Sequence, residues 1–113
     1  MRLTGKPKLL KLRDKNKGNK KLKEAIDQLI KDIEGATWKT QADIVAARPD
    51  ADSAHPDGFY FFDIAVHRSM ILIEFDGQEA TVVWADSHDR YEKTFKNNKK
   101  TIAKWLREKE YIS

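Results

Sequence analysis

The 113-residue chain has no cysteine. Disulfides, thiolate zinc sites and thiol nucleophiles are thereby excluded, and the usage is that of a reduced intracellular compartment rather than a small secreted scaffold. No run approaches the ~20 apolar residues of a membrane span, and the basic start lacks the apolar stretch of a secretory signal. The expectation is a cytoplasmic protein without membrane contact. Histidine is scarce: His55, His67 and His88 have no ligand spacing such as His-x-x-x-His, so no metal site is expected, and no motif requires a cofactor. Internal repeats are absent too. What is present, 40% hydrophobic and 10% aromatic residues over this length, supports one modest core and hence a single domain over residues 1–113.

Acids are nearly missing from the first part of the chain. Residues 1–23 hold ten Lys or Arg against Asp14 alone, a balance of +9; residues 24–95 hold six bases against fifteen acids (−9); residues 96–113 hold six bases against two acids (+4). If the two basic ends share one side of the fold, they make a footprint for a polyphosphate backbone, because each neutralised phosphate releases condensed counterions. Lysine-rich helices are also common as solvated surface. A segment with ten bases and one acid exceeds what solubility needs, which favours RNA or another polyanion.

"MRLT" suits a short edge strand, with Thr4 placed to cap the first helix. Pro7 fits a first helical turn, and Leu9, Leu10 and Leu12 give a partly apolar helix ending near Asn16–Gly18. Between Asn19, a good cap, and Gly35, a good stop, Leu22, Ile26, Leu29, Ile30 and Ile33 form one helical stripe, which is core. Thr40 and Asp43 form a capping pair for a third, short helix that Pro49 ends after Arg48. "DADSAHPDG" reads as loop, whereas "FYFFDI", "SMILIEF" and "QEATVVWADS" read as strands. Asp76–Gly77 is a signal for a two-residue primed hairpin turn joining the last two. A helix from Asn97 or Asn98 to about Lys109 closes the chain, with Ile102, Trp105 and Leu106 on one face. The expected fold is α+β: N-terminal helices packed on a small antiparallel sheet of about three strands, then a C-terminal helix. Trp38, Trp84, Trp105 and Tyr60 are expected in packing roles.

The hairpin register puts Phe75 opposite Gln78, Ile71 opposite Val82, Ser69 opposite Trp84 and Arg68 opposite Ala85. Arg68 then opens one strand while Ser87 and His88 close its neighbour, with His88 about three residues, or roughly 10 Å, beyond the partner of Arg68. An imidazole near pKa ~6.5 suits acid or base duty, and a guanidinium fork binds phosphate oxygens. If a helical turn begins at His88, Tyr91 points to the same side and can donate to phosphate or stack on a base. Metal-free RNA cleavage needs such groups: the 2′-hydroxyl attacks the adjacent phosphorus, so one group moves protons and another holds the added charge. The competing account of "SHDRYEKT" is a solvated first helical turn capped by Ser87.

The runs "WKTQADIVAARPDADS", "FYFFDI", "HRSMILIEF" and "SHDRYEKT" resemble HigB-like toxins of the RelE superfamily, the toxin halves of type II toxin–antitoxin pairs. "SHDRYE" is similar to the Thr-His-x-x-Tyr-Asp of that family. Trp38-Lys39 followed by Ala42-Asp43 and Pro49 matches its middle segment, and Arg68 leads an apolar run ending at Phe75. The resemblance covers nearly the whole chain and is weakest in the first 20 residues and past Phe95. It implies a RelE-like fold and a metal-independent, ribosome-dependent endoribonuclease that cuts mRNA in the decoding site and inhibits translation. It also implies a HigA-like helix-turn-helix antitoxin. Residue by residue, it implies functional His88 and Tyr91, Arg68 at the scissile phosphate, and ribosomal RNA against Lys8, Lys11, Lys15, Lys20 and Lys23. Lys39, Arg90 and Lys93 are further RNA-contact candidates, although Lys39 also reads as an exposed lysine and Arg90 as a partner of Asp86 or Glu92. Ser87 replaces the family's Thr and Glu92 its Asp. "AVH" stands between Ile64 and Arg68 where the family commonly has a longer, Gly-containing turn before Lys-Tyr-Arg, so His67 occupies the Tyr position.

A non-catalytic RNA-binding module, resting on the basic termini alone, is the alternative; a unit that docks an acidic protein partner is a third.

Overall fold

The computed structural model describes residues 1–113. In chain order the elements are β1 (Arg2–Thr4), α1 (Lys6–Lys15), α2 (Lys20–Glu34), α3 (Gln41–Ala47), β2 (Asp52–His55), β3 (Phe59–Ile64), β4 (His67–Glu74), β5 (Glu79–Ser87), α4 (His88–Phe95) and α5 (Lys99–Glu108). The strands form one sheet in the order β1-β5-β4-β3-β2, antiparallel except for the β1–β5 pair. This is an α+β arrangement with a five-stranded, mostly antiparallel sheet, compatible with a RelE-like fold.

Local signals explain the helices. The Asn19 side chain accepts the Leu22 N–H at 3.0 Å, and Leu22, Ile26, Leu29 and Ile33 bury one stripe of α2. At α3 the Asp43 carboxylate accepts the backbone N–H groups of Lys39 (2.9 Å) and Thr40 (3.2 Å). The Lys39 bond above all draws the Asp43 pKa below the usual carboxylate value. Thr4 does not cap α1. It is held in the parallel β1–β5 ladder, its hydroxyl 3.0 Å from Thr81 Oγ1, and Gly5 makes the turn instead at φ 77°. A Cβ on Gly5 would lie 2.6 Å from the Val82 carbonyl oxygen, so glycine is required there.

Side-chain alternation gives the sheet two covered faces. Tyr60, Phe62, Ile64, Ile71 and Ile73 pack with α1, α2 and α3 in a cluster of 17 buried residues. Phe59, Phe61, Met70 and Val83 pack with α4 and α5 in a cluster of 9. At roughly 1.5–3 kcal/mol for each fully buried large apolar side chain, the first face carries most of the hydrophobic stabilisation. The basic N-terminal helices and the basic α5 therefore lie on opposite faces of the sheet, and the one-sided footprint expected from charge does not form. Trp38 is buried and stacked on Phe62, Tyr60 is buried, and Trp84 and Trp105 are half-buried against Phe95.

Three sheet expectations change. The stretch expected as loop contains β2, which pairs with β3 across a bulge between Ser53 and His55, while the edge strand expected at "MRLT" forms as β1 and pairs with β5. The β4–β5 turn is not primed: the positive φ falls on Gln78 (50°), the pattern of a type I turn completed by a left-handed residue. Register runs as expected from Ile73–Ala80 to Ile71–Val82, then shifts by one residue at a bulge. Beyond it Met70 faces Trp84, Ser69 faces Ala85 and Arg68 faces Asp86.

Candidate active site

The bulge decides where the functional side chains meet. With the register shifted by one, His67 rather than Val66 stands opposite Ser87, and the chain turns into α4 at once. Two bonds fix that turn. Ser87 Oγ accepts the Arg90 N–H at 3.1 Å, and the His88 N–H donates to the Val66 carbonyl at 3.0 Å. Val66 sits in a two-residue turn between β3 and β4, with Ala65 left-handed at φ 59°. For alanine that conformation costs roughly 1 kcal/mol, a strain retained here beside the cleft. Tyr91 comes one helical turn after His88, and the two rings stack with centroids 5.5 Å apart.

Arg68, His88 and Tyr91 line one cleft of about 360 Å³, together with Asp52, Asp63, His67, Glu92 and Asn97. The Arg68 guanidinium carbon lies 4.7 Å from the Tyr91 ring centre and 5.2 Å from that of Phe61. Its Nε donates to Asp63 Oδ1 at 2.9 Å, and Nη1 is 3.6 Å from Asp52 Oδ2. Burial works against the Arg68 charge, but its neighbours, Asp63 first and then Tyr91 and Asp52, together outweigh it, so the cation is held more firmly than free arginine. Burial likewise raises the Tyr91 pKa, with Arg68 opposing, so Tyr91 is a neutral phenol near pH 7. The Tyr91 hydroxyl donates to Asn97 Oδ1 at 3.1 Å. His88 Nε2 lies 3.3 Å from Glu92 Oε1, one turn along α4. The cleft thus holds a fixed cation, an imidazole with a carboxylate behind it, and neutral donors.

A family model described as HigB toxin, RelE-like toxic component of a toxin–antitoxin system, matches residues 22–94. The chain belongs to this toxin family. Comparison with curated proteins finds no match. The matched segment runs from α2 to α4 and includes Arg68, His88 and Tyr91. Membership makes the chain the toxin of a toxin–antitoxin system and implies an antitoxin partner. No helix is long and apolar enough to cross a membrane.

The HigB-family cleft does not gather the lysines. Lys8, Lys11 and Lys15 line a separate groove on α1 with Val83, Trp84 and Ala85, and Lys39 lines another beside the β4–β5 turn. Lys20 and Lys23 are exposed on α2, with Lys20 4.0 Å from Glu24. From α4, Arg90 lies 4.0 Å from Asp86 and Lys93 3.1 Å from Asp89, so each acid has a neighbouring cation. Sequence reasoning misses Asp52, Asp63 and Asn97 as lining residues. Asp52 falls in a stretch that reads as loop. Asp63 is the lone acid in "FYFFDI" and stands opposite Arg68, a signal that only the β3–β4 register exposes.

Proposed function

We propose that the chain is a metal-independent, ribosome-dependent mRNA endoribonuclease that stops translation, acting as one toxin domain over residues 1–113. The observation that carries this reading is the convergence of Arg68, His88 and Tyr91 on one cleft. In the proposed step the 2′-hydroxyl of the message attacks the adjacent phosphorus and the P–O5′ bond breaks, leaving a 2′,3′-cyclic phosphate and a 5′-hydroxyl. His88 is the proton carrier, oriented by Glu92. Arg68 holds the added negative charge. Asp63 takes its Nε edge and Asp52 stands 3.6 Å off Nη1, so the guanidinium is not fully engaged and part of the fork is left for a phosphate oxygen. Tyr91 is a neutral platform beneath the guanidinium. Lys8, Lys11, Lys15, Lys20 and Lys23 meet ribosomal RNA away from the cleft, with Lys39, Arg90 and Lys93 as lesser contacts. A HigA-like helix-turn-helix antitoxin holds the enzyme inactive.

The test is to map the 5′ ends of a translated message after induction, with His88→Gln in parallel. New ends that appear with the wild type and vanish with His88→Gln support the nuclease. Intact transcripts during growth arrest overturn it.

A further inference from the structure

Asn97 lies three residues beyond the segment that the family model covers, and its side chain lines the cleft with Arg68 and Tyr91. Its backbone is fixed on both sides. Lys96 and Asn97 take left-handed conformations in succession, at φ 54° and 47°, while the Lys96 N–H closes α4 on the Glu92 carbonyl. Asn98 then caps α5, its side chain accepting the Lys100 and Thr101 N–H groups. Two successive non-glycine residues in this region are uncommon, and the α4–α5 link accepts that strain where Asn97 enters the site.

In the structure the Tyr91 hydroxyl donates to Asn97 Oδ1, which turns the amide so that its nitrogen is not used by Tyr91. The Tyr91 proton is therefore committed to Asn97 and is not free for a phosphate oxygen. The Asn97 Nδ2 group, with two N–H donors, makes no hydrogen bond within the protein, and Asn97 is one of the residues that line the cleft. The charges of the cleft favour a neutral donor. Asp52, Asp63 and Glu92 set three carboxylates against the single Arg68 cation, so an anionic group entering it is helped by neutral N–H groups that bring no carboxylate with them.

We propose that Asn97 is a substrate-binding residue of this cleft: Tyr91 orients its amide, and the Nδ2 donors bind an oxygen of the same phosphate that Arg68 holds. The proposal rests on the RNA-cleavage reading for its substrate, and its tests separate the two. The first uses the unaltered protein. Side-chain N–H resonances of Asn97 and Arg68 are monitored by ¹⁵N NMR as a 2′-deoxy dinucleotide is added, with sodium chloride matched for ionic strength as control. Both signals moving together is the expected result. Arg68 moving without Asn97, or neither moving, overturns the assignment.

The second uses Asn97→Asp, which keeps an acceptor for Tyr91 and tolerates the left-handed backbone but replaces the donors with a negative oxygen. Cleavage of a translated message is expected to fall about a hundredfold, the scale of losing one donor to a reacting oxyanion. The Tyr91 ring resonances should keep their stacked shifts. Asn97→Asp cleaving at the wild-type rate overturns the proposal. A wild type that binds the dinucleotide through both residues yet leaves messages intact overturns the nuclease reading and not this site.

Discussion

The buried Nδ1 of His67 has no hydrogen-bond partner, and the ring is only 7% exposed. Burial lowers the His67 pKa below 6.5, with the nearby Asp86 charge partly opposing. As pH falls below 6.5 the unfolded chain takes up this proton before the folded one does, so stability falls with pH from 6.5 down to the lowered folded value. His67→Phe removes that titration and the orphaned nitrogen together. Its thermal midpoint relative to wild type should therefore rise progressively between pH 7 and pH 5. A gap that stays constant over that range would show that this imidazole does not couple to folding. At the same scale, Arg68 is readable as a phosphate ligand from its residue type. Its two carboxylate partners are not, because Asp63 and Asp52 reach it only through strand pairing.

Among elements, α4 carries two of the three catalytic candidates in its first turn, so its cap bears on function. Ser87 supplies the one side-chain bond to the first free N–H groups of that helix. Ser87→Ala should cost about 1 kcal/mol in urea unfolding and lower cleavage, whereas Ser87→Asp should keep both. Equal loss in the two variants would mean that the hydroxyl does something other than cap. The helices α2, α3 and α5 are legible because stripe and cap are local signals that need no knowledge of neighbours. The edge strand β1 is legible as a short strand but not its parallel pairing with β5, and β2 is not legible, since "DSAH" becomes a strand only when β3 lies beside it. The β5 bulge escapes for a similar reason: Val83 looks like any strand residue, yet it moves Arg68 from Ala85 to Asp86 and brings His88 closer. Asn97 escapes because nothing in "KNNKK" marks which asparagine turns into the cleft.

At the scale of the whole molecule, the sheet separates the lysine-lined groove from the cleft. Arg68, Tyr91 and α5 stand on the face that packs the smaller cluster, while α1 and α2, with most of the lysines, cover the other. Lys8, Lys11 and Lys15 form no ion pair with the protein and line one groove, so their charge is available to a polyanion. Neutralising them should weaken attachment and leave the cleft as it is. Pelleting with ribosomes across a potassium chloride series reads this directly: the slope of log affinity against log salt for Lys8→Ala/Lys11→Ala/Lys15→Ala should be shallower by about two units, ~0.7 for each lost phosphate contact. The His88→Gln protein should keep the wild-type slope, because an imidazole on the far face does not compete with counterions along the groove. A triple variant whose slope matches wild type would show that the lysines are solvated surface, and the grip would then have to come from α5 and the link before it.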